Sequence, residues 1–267
     1  MNANEPAMNT SLLETRRLEV DIGGHRVCRN LDWRVDAGES WAILGRNGVG
    51  KSTLLTTLAG FRAQQGGHLS IAGLALPCVR PGEGLRTMAR IRGYLSQHQF
   101  DPFASTVLET VLVGRHPHLG RWDWESADDR RIAEAALNEL DLGGCAEREV
   151  QTLSGGERQR LAVAQLLTQE PQLFLLDEPL THLDLSHQVA VMEMFARRAS
   201  TGAAIVAVLH DPGFAARYCG QALLLFGDGE WLAGPTGEVI NATNLTRLYG
   251  HPLRELCADG HRWFVPR

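Results

Sequence analysis

The stretch GRNGVGKST, Gly45 to Thr53, has the residue types that cradle a phosphate chain. Gly45, Gly50, Lys51 and Ser52 satisfy G-x-x-x-x-G-K-[ST], with an apolar run before it and a helix-prone run after it. Glycine lets the loop's backbone N–H groups, across Arg46, Asn47, Gly48 and Val49, converge on phosphate oxygens. Lys51 then reaches the outer phosphates, and the Ser52 hydroxyl, next to Thr53, is placed for Mg²⁺. Lys51 is also the only lysine in the chain; every other cation is an arginine. A compact ammonium on a thin stem enters a narrow glycine loop where a broad guanidinium does not fit. A second stretch, LFLLDEP, ends an apolar run with two carboxylates. Asp177 can hold Mg²⁺ through water, and Glu178, pointing differently, can polarise an attacking water. Taken alone, such a pair is as readily a charged cap on a core strand. A third stretch, TLSGGERQR (Thr152–Arg160), sets a serine and two glycines before a charged helical run, which suits an anion at a helix N-terminus.

These residues need elements to carry them. LETRRLEVDIGGHRVCRNLDWRVDAG alternates apolar and polar residues around Gly23–Gly24, which predicts a hairpin in an antiparallel sheet. SWAIL (Ser40–Leu44) is a short strand feeding the glycine loop, and KSTLLTTLAG a helix stopped by Gly60. From about Ser105 to Asn138 the pattern turns helical. PQLFLLDEP, GAAIVAVLHDP and QALLLFGDGEWLAGP then restore strands, with helices after the first two, so the sheet is largely parallel. The first 13 residues are polar and read as a tail. The 267 residues carry a net charge of −5, so no concentrated positive field points to nucleic acid. No run approaches the roughly 18 apolar residues of a membrane span. Five scattered cysteines without a CxxC pair fit a reducing compartment. The expectation is a soluble cytoplasmic protein.

The order of these stretches carries a resemblance. The glycine loop, LSGGE (Leu153–Glu157), LLDEP and LHD follow one another as in ABC ATPases, over roughly residues 14–253. The resemblance implies an α/β fold: a P-loop NTPase (RecA-like) core, an N-terminal antiparallel β subdomain and an inserted helical subdomain at about 98–160. Residues 254–267 would form a C-terminal extension. It further implies ATP and Mg²⁺ as ligands, with Ser52, Gln97 and Asp177 around the metal. Glu178, His210 and Gln97 take catalytic roles, His210 as the switch histidine against the γ-phosphate. Gln97, in GYLSQHQF, matches the family's Q-loop, and THLD (Thr181–Asp184) its D-loop. Ser154, Gly155, Gly156, Glu157 and Asp184 of one copy would close over ATP held by the glycine loop of another, in a head-to-tail dimer. Asp211 and Pro212 read as N-cap and first residue of a helix. There are two departures. Ile22 stands where the family stacks an aromatic ring on adenine, which replaces stacking by apolar packing and puts adenine selectivity in question. Leu180 stands where threonine is common.

VLVGRHPHLGRW and LDLSHQ resemble the importer ATPases for vitamin B12, ferric siderophores and haem. That implies two membrane permease subunits as partners, a substrate-binding protein behind them, no nucleic acid, and a peripheral place on the cytoplasmic face of the inner membrane. The pairs His116–His118 and His182–His187 lack the Cys or carboxylate set of a metal site, so a loop presented to the permease is the better reading. The alternative is a soluble ABC ATPase acting on ribosomes or DNA, which would carry a second cassette, a long coiled coil or basic extensions. A small-molecule kinase would share the glycine loop but has no use for LSGGERQR.

Overall fold

The computed structural model describes residues 11–76, 83–97 and 104–267. Strands β1 (Ser11–Ile22) and β2 (His25–Asp36) form the expected hairpin, turning at Gly23 and Gly24, whose φ values are 54° and 82°. Of the expected tail, residues 1–10 lie outside the described residues. Ser11 to Leu13 already belong to β1, because Leu12 and Leu13 bury their side chains. β3 (Ser40–Gly45) leads into the glycine loop and α1 (Lys51–Leu58) leaves it; Gly60, at φ 73°, follows the end of that helix. β4 (Gly66–Ile71) and β5 (Leu74–Leu76) complete an antiparallel sheet in the order β2-β1-β4-β5.

Next come α2 (Glu83–Ile91), β6 (Arg92–Leu95), α3 (Val107–Leu112) and α4 (Ala127–Glu139). α5 (Gly155–Thr168) receives both α3 and α4, which makes the inserted helical unit. Each of these three helices starts with a capping box: Thr106 with Glu109, Ser126 with Asp129, Ser154 with Glu157. Of the expected span 98–160, residues 98–103 lie outside the described residues. At the other end α5 runs unbroken to Thr168, because its apolar face continues through Leu161, Leu166 and Leu167 into the core.

β7 (Leu173–Asp177), α6 (Leu185–Ser200), β8 (Ala204–Val208), α7 (Pro212–Tyr218), β9 (Gln221–Gly227) and β10 (Glu230–Pro235) follow. The chain ends in α8 (Thr236–Val239), α9 (Ala242–Tyr249) and a hairpin of β11 (Leu253–Ala258) and β12 (His261–Pro266). The second sheet has the order β10-β9-β3-β8-β7-β6, parallel except for β10 at its edge. Alternate residues of its central strands feed two cores, because side chains along a strand alternate faces. Trp41, Ile43, Leu173 and Leu175 pack toward α1 and the antiparallel sheet. Ala42, Leu44, Phe174 and Leu176 pack toward the helical unit and α6.

The parallel register decides where the chemistry falls. Ile43 and Asp177 both pair with Val208, and Leu95 pairs with Leu176. The ends of β3, β6, β7 and β8 are therefore level. The glycine loop, Gln97, Glu178 and His210 all emerge at one rim, outside the carboxyl ends of the strands, where open α/β sheets bind ligands.

Candidate active site

The glycine loop is preset by its neighbours. Gly50 sits at φ 100°, and a Cβ there would lie 2.4 Å from a Val27 methyl, so only glycine fits. The Lys51 Nζ folds back on the loop and donates to Gly45 O at 2.9 Å and Arg46 O at 3.1 Å. Burial lowers the Lys51 pKa, and the carboxylates of Glu178 and Asp177 partly offset this. Arg46 O also accepts the Val49 N–H, and Val49 packs beneath Gly45. Gly50 caps α1 without a side chain, and no acid occupies the first turn, so the N-terminal N–H groups face an incoming anion unopposed.

Across the rim, Ser52 Oγ donates to Asp177 Oδ1 at 3.0 Å. Asp177 is buried, which raises its pKa, and the Ser52 bond counters part of that. Glu178, the next residue, adopts φ 52°. A left-handed non-glycine residue costs about 1–3 kcal/mol, and such strain collects at functional sites. The turn brings the carboxylate back over the rim. There Gln97 Nε2 donates to its Oε2 at 3.0 Å and His210 Nε2 meets its Oε1 at 2.7 Å. Asn47, Gly48 and Gly50–Thr53 form one wall of a cleft of about 390 Å³; Gln97, Glu178 and His210 form the other. Ile22, at the end of the first hairpin strand, closes the side of that cleft. Tyr94 lies beneath: burial, then its contact with Asp177, pushes its phenol up to about 12. Nothing in the local sequence marks Tyr94, because it meets Asp177 only through the pairing of β6 with β7.

Ser154–Glu157 and Asp184 do not line this cleft. The Ser154 hydroxyl accepts the Glu157 N–H at 3.3 Å, and Glu157 returns a bond to Ser154 N–H at 2.7 Å. That N–H, with Arg148 at 2.9 Å, draws the Glu157 carboxyl down to about 2. Gly155 and Gly156 lie against His182, so LSGGE and THLD form one surface. A Cβ on Gly156 would stand 3.1 Å from His182 O. Asp184 caps α6, accepting the His187 N–H at 2.9 Å, which holds its carboxyl near 2. Asp211 caps α7, with Pro212 first in that helix. The stretch expected as a loop facing a permease divides. Arg115 points inward and His118 meets Gln169 O at 2.9 Å, while Trp122, the last residue of that stretch, is 84% exposed. Among the described residues no helix is long and apolar enough to cross a membrane.

A glycine loop at a strand-to-helix turn, facing a strand-end acid pair, defines a P-loop NTPase. Within that class the chain belongs to the ABC transporter family, whose profile matches residues 28–181. It is 40% identical to the hemin import ATP-binding protein HmuV of Nocardia farcinica, over 94% of this chain and 87% of that one. It is 35% identical to the ferric enterobactin transport ATP-binding protein FepC of Escherichia coli K12, over 89% and 87%. A solved metal-chelate type ABC transporter in an inward-facing conformation contains a similar chain, at TM-score 0.82 and 28% identity, covering 96% of this chain and 98% of that one. A bacterial ABC transporter cassette solved as a dimer shares the fold at TM-score 0.74 and 24% identity, covering 84% and 98%. The chain is thus an ATP-binding ATPase of this family.

Proposed function

We propose that this chain powers an importer of an iron chelate, haem or cobalamin. Two copies pack head to tail around two ATP molecules and drive two permease subunits from the cytoplasmic face of the inner membrane. The observation that carries the reading is the Glu178 carboxylate, turned over the cleft between Gln97 and His210. In this reading the glycine loop and the α1 N-terminus hold the phosphates, and Lys51 exchanges its two carbonyl partners for phosphate oxygens. Glu178 orients or deprotonates the attacking water, and His210 meets the γ-phosphate as it leaves. The hydroxyl, carboxylate and amide oxygens of Ser52, Asp177 and Gln97 are the hard donors that Mg²⁺ takes, and buried Asp177 favours a cation beside it. Bound there, Mg²⁺ neutralises phosphate charge.

The dimer is supported by what the cleft lacks. LSGGE and Asp184 line no part of it, yet they form one surface of their own. A second copy can supply them, and ATP then acts through its differential affinity for the closed pair. Import is supported by the names of the two relatives above, and those names favour it over work on ribosomes or DNA. Glu178→Gln is the test. It should bind ATP, lose about 10²–10⁴-fold in turnover and accumulate as an ATP-bound dimer on gel filtration. Near-normal turnover in that variant would sink the reading.

A further inference from the structure

His210 stands two residues beyond the end of β8, where the ladder no longer fixes the backbone. Leu209 N–H still donates to Ile43 O at 3.2 Å. Past that point the segment is held from the C-terminal part of the chain. Tyr249, the last residue of α9, donates its hydroxyl to His210 O at 3.5 Å, a long bond. Burial and the nearby Asp211 carboxylate push the Tyr249 phenol up to about 12, so it remains a donor. One residue further on, Asp211 Oδ1 caps α7 through Gly213 N–H at 2.6 Å and Phe214 N–H at 3.1 Å. β12 lies against that first turn: a Cβ on Gly213 would stand 3.6 Å from Arg262 O and 3.7 Å from the Trp263 ring.

The hairpin is itself anchored. Arg262 donates to Glu255 at 2.6 and 3.1 Å and to Ile240 O at 2.5 Å, which joins both strands to the end of α8. Thr246 Oγ1 accepts the Leu253 N–H at 3.0 Å, which joins β11 to α9. α9 and the hairpin are thus one tied unit with two contacts on residues 210–213. We infer that this unit is a brace that sets the position of His210, with Tyr249 as its positioning residue. The inference rests on the role proposed above for His210. The imidazole is half exposed, and its ring is held by the contact with Glu178. Its backbone sets how the ring reaches that carboxylate, and a shift of about 1 Å at a reacting centre can cost on the order of 10²-fold.

Tyr249→Phe removes the hydroxyl and keeps the ring. In the full-length chain, amide hydrogen exchange across residues 209–214 should rise about threefold, with residues 155–168 unchanged. The kcat for ATP should fall about threefold at constant KM, the loss expected for a weak neutral hydrogen bond. In a His210→Ala background the same substitution should lower kcat no further, because the two act as one unit. Unchanged exchange at 209–214, or a rise spread over the whole chain, overturns the brace. An equal kcat loss in both backgrounds overturns its link to His210. Full turnover in His210→Ala alone defeats the proposed role of His210, and the exchange result then decides the brace by itself.

Discussion

Lys51 and Glu178 differ in how far their sequence context exposes them. The lysine is legible at once, because its loop is a local pattern and its type is unique in the chain. The acid is legible as a residue but not as a conformation. Its left-handed turn, and the two side chains that hold its carboxylate, come from the alignment of β6, β7 and β8, which no local window contains. Tyr94 under Asp177 is hidden for the same reason, and Tyr249 reaches His210 only because α9 packs beside that rim. The loop geometry makes a prediction for Lys51 itself. Lys51→Ala removes a charged donor and should weaken ATP binding by about 10- to 100-fold in a fluorescent-nucleotide titration. Lys51→Arg keeps the charge and should not restore binding, since a planar fork cannot fold onto Gly45 O and Arg46 O in the same space. Wild-type affinity in either variant would refute the cradle.

The strands and helices themselves were largely readable, because each carries its own periodicity and punctuation. The β1–β2 turn, the strand before the glycine loop, and α7 behind Asp211 and Pro212 fall where alternation and capping put them. What joins the elements was not readable. Arg115 is an example: its sequence context suggested an exposed loop, yet it is a buried hub. It donates to Asp129 Oδ1 at 2.8 Å at the start of α4, and to Glu170 at 2.7 Å and Thr168 O at 3.0 Å at the end of α5. A cation at a helix C-terminus and an acid in a first turn both suit the helix dipoles. Asp129 is held at about 2, chiefly by Ser126 and then by Arg115, against an ordinary value of 3.8. A depressed acid stabilises the fold fully above its unfolded pKa. That contribution fades as pH falls from about 4 toward 2. Asp129→Asn should therefore cost about 2–3 kcal/mol at neutral pH, less than a fully broken buried pair because Glu170 and Thr168 still hold Arg115. Melting curves should show Tm lower by about 5–10 °C at pH 7. The gap to wild type should narrow below pH 4, and a constant gap down to pH 2 would contradict the assignment.

At the scale of the whole molecule, the proposed function has one chain hold the two halves of a site on separate surfaces. The motif order in the sequence carried that expectation, through the family resemblance rather than through any spacing. Ser154→Arg tests it. The substitution projects a long cation from the start of α5, outside the residues that line the cleft. ATP affinity of the monomer should stay within about twofold of wild type, on the ±0.5 kcal/mol usual for surface changes. The ATP-dependent dimer expected of Glu178→Gln should fail to form when Ser154→Arg is added, as gel filtration would record. A persistent dimer would place the second half of the site elsewhere. The same chain has another whole-molecule property that follows from its single lysine, 5% exposed and bonded to its own loop. An amine-directed acylating tag or cross-linker finds one side-chain target in the entire chain, and in the proposed function it lies under the phosphates. Its acylation rate is then a gauge of how open the cleft is: slow when nucleotide covers the loop, faster when the loop is empty. A covalent reagent can thus report how exposed the loop is, one reaction per chain, without any engineered label.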